Sequence, residues 1–237
     1  TSTGVQAMAF DVFNLVALIF IVYSLFALFQ SKTAKGRAIA AVVALLSVAY
    51  LVYDYVHTAG TVVPVSAPIF QHFNPSYVVM LTPISLAIFG YLARKGKEPS
   101  APRKIAYGMV VAAVAYGIML VGSLGLNTPD AQRLAGDDGT FVSANWLMGT
   151  YLVLTFGELL LSPMGISFVS KVAPPKYKGA MMGGWFVATA AGNLLVSVGG
   201  FLWGSYPLWV VWTVFIVLCL LSFFFMMALM KKLEKVC

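Results

Sequence analysis

Seven stretches of about 20 residues, each nearly free of charge, dominate this chain, and a helix of that length covers the roughly 30 Å of a bilayer's hydrocarbon. They run about 9 to 30, 36 to 57, 73 to 94, 104 to 125, 145 to 169, 179 to 203 and 207 to 230. Within lipid every backbone N–H and C=O must be satisfied inside the span, so each stretch predicts a transmembrane helix. Only 10% of the 237 residues are charged, against roughly 25% in soluble domains. The longest loop, about 126 to 144, leaves no room for a soluble catalytic domain. The expected fold class is therefore an all-α membrane protein with the lipid bilayer as its surroundings.

Basic residues collect in alternate loops. Lys32, Lys35 and Arg37 lie in one, Arg94, Lys95, Lys97, Arg103 and Lys104 in the next, then Lys171, Lys176 and Lys178, and finally Lys231, Lys232 and Lys235. The opposite loops carry Asp130, Asp137 and Asp138, with Arg133 the one basic exception. The positive-inside rule then predicts an outside N-terminus and a cytoplasmic C-terminus. The net charge of +7 is a topology signal, and charges confined to short loops at one face exclude a nucleic-acid partner. Two cysteines, Cys219 and Cys237, make neither a disulfide framework nor a metal site. The opening "TSTGVQAMAFD" has neither an initiator Met nor a charged n-region, which suggests a start inside a longer protein.

Two acids interrupt the apolar spans. Asp54 lies near the outer end of the second, and Glu158 lies deep in the fifth. Intramembrane carboxylates mark ion or substrate pathways, the alternative being a packing hydrogen bond between helices. Helical spacing gathers polar residues around them into three stripes: Tyr151, Thr155, Glu158 and Ser162; Trp185, Thr189 and Asn193; and Ser47, Tyr50, Asp54 and His57. Such stripes suit either a polar cavity or interhelical hydrogen bonding. No Lys or Arg lies well inside a span, so counter-charges are expected from another polypeptide segment.

Glycines crowd the sixth span, among them Gly183, Gly184, Gly192, Gly199 and Gly200, and read as close helix packing. Trp146, Trp203, Trp209 and Trp212 read as interfacial anchors, as do His57 and His72 near the outer face. A retinal protein needs a Schiff-base lysine inside its last span, and 207 to 230 has none internally. A membrane enzyme would need clustered histidines, paired carboxylates or a nucleophile with its base, and the sequence shows no such group.

The run "YLVLTFGELLLSPMGISFVSKVAPPKYKGAMMGGWFVATAAGN" resembles the tenth and eleventh transmembrane helices of the proton-dependent oligopeptide transporters, a branch of the major facilitator superfamily. Gly157-Glu158-Leu159, Ser162-Pro163, Gly165, Ala173-Pro174, Trp185-Phe186 and Gly192-Asn193 carry the likeness. "FQHFNPSYVVMLTPISLAIFGYLARKGKEPSAPRKIAYG" is similar to the eighth helix and its basic connection to the ninth. The resemblance spans about residues 36 to 232.

It implies that residues 34–237 form the C-terminal six-helix transporter half, with 1–33 holding one extra transmembrane helix, the second arm of an inter-half hairpin, and a linker. The missing N-terminal six-helix half would then supply the cations. Glu158 would bind the peptide amino terminus and join proton-linked salt-bridge exchange. Trp185 would wall the side-chain pocket, Thr189 could offer it a hydroxyl, and Asn74 would hydrogen-bond peptide backbone. Asp54 would serve proton coupling and an outer gate, although "AYLVYDYV" departs from the bacterial pattern of a phenylalanine-tryptophan pair followed by glutamate and glutamine. The expectation is one part of a proton-coupled di- and tripeptide symporter of a bacterial inner membrane, with small peptides as partners, protons as coupling ion, no cofactor and no bond chemistry. The alternative is a related transporter of another organic or nitrogenous solute.

Overall fold

A computed structural model of the chain describes residues 4–58, 67–135 and 142–235. Asp137, Asp138 and Cys237 lie outside the described residues. The chain forms two compact units, Thr1–Gly96 and Lys97–Cys237. Among the described residues the structure is helical, with one isolated bridge between Trp203 and Tyr206.

The first unit contains α1 (Gly4–Ala9), α2 (Val12–Gln30), α3 (Ala34–Thr58), a 3-10 turn (Ala67–His72) and α4 (Phe73–Arg94). Asp11 starts α2 by accepting the Phe13 N–H at 2.8 Å, filling one of the donors that a helix start leaves open. The buried residues of α2 are Asn14, Leu15, Ala17 and Ser24. The helix packs along α3 and also touches α4. Phe10, Phe70 and Phe73 meet edge-on or tilted, and Phe73 is buried.

The second unit contains α5 (Ala101–Gly122), α6 (Pro129–Ala135), α7 (Ala144–Val172), a 3-10 turn (Pro175–Tyr177), α8 (Lys178–Leu202) and α9 (Leu208–Leu233). Here α5 is central, packed against both α7 and α9. Its buried residues include the small Ala106, Gly108, Ala113 and Ala115, which let neighbouring backbones come close. A Cβ added to Gly108 would stand 2.8 Å from the Gly157 carbonyl oxygen, and one on Gly157 would stand 3.0 Å from that of Gly108. Aromatic rings fill the remaining gaps, with the Trp146 indole over Gly122, the Phe215 ring over Gly199, and Tyr116 stacked with Trp212 and Phe215. Trp212 thus packs among side chains of its own unit.

The seven long apolar helices begin and end within a few residues of the stretches read from hydropathy, and the chain is a multi-pass membrane protein. The glycines of α8 depart from expectation. Gly183, Gly184, Gly192 and Gly200 have nothing within 4 Å of a would-be Cβ, and only Gly199 meets a neighbouring helix. No residue of α8 is buried, and Leu194 and Phe201 stand 74% and 83% exposed.

At the basic ends, Arg103 Nε meets Glu234 Oε1 at 2.7 Å, and Ser100 Oγ donates to the same oxygen at 2.6 Å. The Ser100 hydrogen bond holds the Glu234 carboxyl below the usual carboxylate range, and Arg103 adds to this while desolvation opposes it. Lys104, 5% exposed, pairs with Glu98. The Arg103 and Ser100 contacts tie the start of α5 to the end of α9.

Candidate functional site

Glu158 occupies the midpoint of the 29-residue α7, roughly 21 Å from either end by helical rise. Its predecessor Gly157 is pressed against α5, while Glu158 itself is exposed on the surface of its unit. The expected stripe of Tyr151, Thr155, Glu158 and Ser162 therefore divides. Thr155 is 0% exposed, and its Oγ1 is buried without a hydrogen-bond partner among the described residues.

Seven residues beyond Glu158, on the same face and about 11 Å along the axis, lies Gly165. The Trp185 indole from α8 rests on it, because a Cβ there would come within 2.6 Å of indole Cζ2. A Cβ at this position would push the tip of the indole aside. Thr189, the next residue of the α8 stripe, is exposed, and its hydroxyl donates to the Trp185 carbonyl at 3.0 Å, leaving its oxygen lone pairs outward. In the second unit, then, a carboxylate and an indole mark two ends of one helix face.

In the first unit, Asp54 lies one turn before the last residue of α3. Asn14 Nδ2 donates to its Oδ2 at 2.8 Å, and the Thr58 hydroxyl donates to its Oδ1 at 3.3 Å. The Asn14 amide also donates to the Met8 carbonyl at 3.1 Å. Asn14 is 2% exposed, and its Oδ1 has no partner among the described residues. Asp54 thus takes neutral partners from its own chain. Beside it is a cavity of about 410 Å³ whose lining includes Phe10, Asp11, Asp54, Thr58 and His72. Asn74, second residue of α4 and half-buried, is not part of that lining. His57 turns to its own helix, with Nδ1 2.8 Å from the Tyr53 carbonyl and its ring 4.0 Å from that of Tyr53.

Residues 55–200, more than half of the chain, match the sequence model of the POT family. The chain belongs to the POT family. Over 131 residues it is 34% identical to the peptide transporter YePEPT of Yersinia enterocolitica, covering 55% of this chain and 24% of that one. The dipeptide and tripeptide permease A of Escherichia coli K12 is 33% identical over 135 residues, covering 57% of this chain and 24% of its own. The matched part of this POT-family chain covers about a quarter of the length of these relatives. A crystal structure of a mutant of the peptide transporter POT in complex with alafosfalin matches 96% of this chain and 48% of its own, with a TM-score of 0.59 and 22% identity. That likeness shows the fold. The chain resembles part of a peptide transporter.

Two elements of the site escaped sequence reasoning. Asn14 was hidden inside the first apolar span, where a single amide leaves no periodic trace. Its only signal was a polar residue three positions after Asp11, at the end of the span. The seat that Gly165 offers Trp185 is a contact between helices, which spacing along either one does not contain.

Proposed function

We propose that this chain is the C-terminal part of a proton-coupled symporter of di- and tripeptides that works by alternating access. In that reading residues 34–237 are its six-helix half, α2 is an added helix, and an N-terminal six-helix half completes the protein. The inner membrane of a bacterium is its place, with the N-terminus of this chain outside and the C-terminus cytoplasmic, following the basic loops.

The observation that carries the reading is the shared face of Glu158 and the Trp185 indole on α7, joined through Gly165. An extended chain advances about 3.3 to 3.6 Å per residue, so two or three residues span about 7 to 11 Å. A short peptide with its ammonium at Glu158 reaches the indole with a side chain and stops there. The carboxylate gives the charge-assisted hydrogen bond, the indole a flat apolar wall, and Thr189 an acceptor on the adjoining turn. Asn74 is assigned to peptide backbone on the strength of family resemblance alone.

Proton coupling requires that protonation bias the inward- and outward-facing states differently. Glu158 and Asp54 are the two intramembrane acids that could carry it. In the complete protein, Glu158→Gln is expected to abolish proton-driven peptide accumulation, measured in proteoliposomes with an imposed pH gradient. Concentrative uptake at the normal rate by that variant refutes the assignment. Amino-blocked peptides should compete poorly with free ones for wild-type uptake, and equal competition would remove Glu158 from the ammonium site.

A further inference from the structure

Asp54 is held by α2, the helix that the six-helix half does not need, and the chemistry of the contact gives its two oxygens different tasks. Asn14 Nδ2 faces two oxygens, Oδ2 of Asp54 at 2.8 Å and the Met8 carbonyl at 3.1 Å. A carbonyl accepts only, and an ionised carboxylate accepts only, so the amide must present N–H to both. Turning it over would set Asn14 Oδ1 against the Met8 oxygen. The unsatisfied Oδ1, buried in a residue 2% exposed, is the cost of this fixed orientation.

A proton placed on Oδ2 would meet the amide N–H head-on, donor against donor. Oδ1 differs, because its neighbour at 3.3 Å is the Thr58 hydroxyl, which both donates and accepts. When a proton from the water phase forms an O–H bond at Oδ1, the Thr58 hydroxyl rotates from donor to acceptor. The carboxylate becomes a neutral acid, and the Asn14 bond to Oδ2 survives.

We propose that Asn14 is the positioning residue of Asp54: it pins Oδ2 to α2 and leaves Oδ1, beside Thr58 and the 410 Å³ cavity, as the oxygen that takes the coupling proton. The inference rests on the reading of Asp54 as a proton-coupling acid. The other ionisable groups about this site are Asp11 and His72, which line the same cavity, and Tyr50 and His57, one turn away on α3 itself. Asp11 is committed to the Phe13 N–H and His57 lies against Tyr53, so Asn14 is the side chain from α2 that the structure places on the Asp54 carboxylate.

The test uses the full-length protein in proteoliposomes and two assays, proton-driven peptide accumulation and peptide counterflow without a proton gradient. Counterflow exchanges substrate with no net proton movement. Asp54→Asn is expected to lose accumulation and keep counterflow. Asn14→Leu, and the smaller Asn14→Ser, are expected to lower accumulation by about tenfold, the scale of one hydrogen bond to a charged group, with counterflow within about twofold of wild type. The exchanged pair Asn14→Asp with Asp54→Asn restores an amide-carboxylate bond but moves the acid to α2, and should recover thermal stability without accumulation. Wild-type accumulation by both Asn14 variants, alongside loss in Asp54→Asn, overturns the role of Asn14 alone. Equal loss of counterflow and accumulation in both Asn14 variants shows a merely structural residue and also overturns it. Wild-type accumulation by Asp54→Asn instead defeats the reading beneath.

Discussion

Gly108 and Gly157 face each other across the contact of α5 and α7, each with the site of its missing Cβ within 3.0 Å of the other's carbonyl oxygen. Both obstacles are backbone, which cannot swing aside as a side chain can. Gly157→Ala is therefore expected to destabilise the protein by about 1–3 kcal/mol, the usual cost of overpacking. Thermal unfolding of the purified full-length protein checks it. A melting temperature equal to wild type would contradict the close approach.

The contact over Gly165 yields where that one cannot, since the nearest atoms belong to the tip of the Trp185 side chain. In Gly165→Ala the fold should survive while the indole is displaced, and peptide affinity should weaken by up to about tenfold, as for loss of one aromatic contact. Competition binding with Trp185→Ala as comparison reads this out. If the two substitutions act through the same ring, the double variant binds no worse than the worse single one.

Glu234 links stability to pH. Its carboxyl is held below the ordinary range, first by Ser100 and then by Arg103. A depressed folded value stabilises fully above the unfolded carboxyl pKa, about 4.3, and that contribution disappears as pH falls through the folded value. The Tm difference between wild type and Glu234→Gln should thus be steady near neutrality and shrink at acid pH. A difference that grows on acidification would reverse the sign and dismiss the contact.

Gly204 has φ of +108°, in the left-handed region, and an added Cβ would meet Asp130 Oδ2 at 2.8 Å. Gly204→Ala should cost about 1–3 kcal/mol through backbone strain together with this clash. Removing the carboxylate with Asp130→Ala should recover only the clash. Full recovery in the double variant would mean that the backbone is unstrained there.

The spans were legible because length and hydropathy act on single segments: the third, read as 73 to 94, coincides with α4. Glu158 was legible for the same reason, as one charge in an apolar run. The polar stripes were not, because serine and threonine in helices can satisfy themselves. Ser47 donates to the Val43 carbonyl and Thr189 to that of Trp185, so the spacing of these stripe residues did not require a cavity. The glycines misled similarly. Density along α8 suggested packing, yet the glycines that touch a neighbour within the second unit include the scattered Gly108, Gly122, Gly157 and Gly165, each chosen by what crosses it. Partner identity lies in the third dimension, which is also why Asn14 went unseen beside Asp54.

Because no side chain separates Gly157 from α5, the carbon that bears the next residue has almost no play of its own. Glu158 is bolted to a two-helix post, and apart from its own side-chain torsions its charge travels only when α5 and α7 travel together. A ligand held by that carboxylate would thereby bear on two helices together instead of on one side chain.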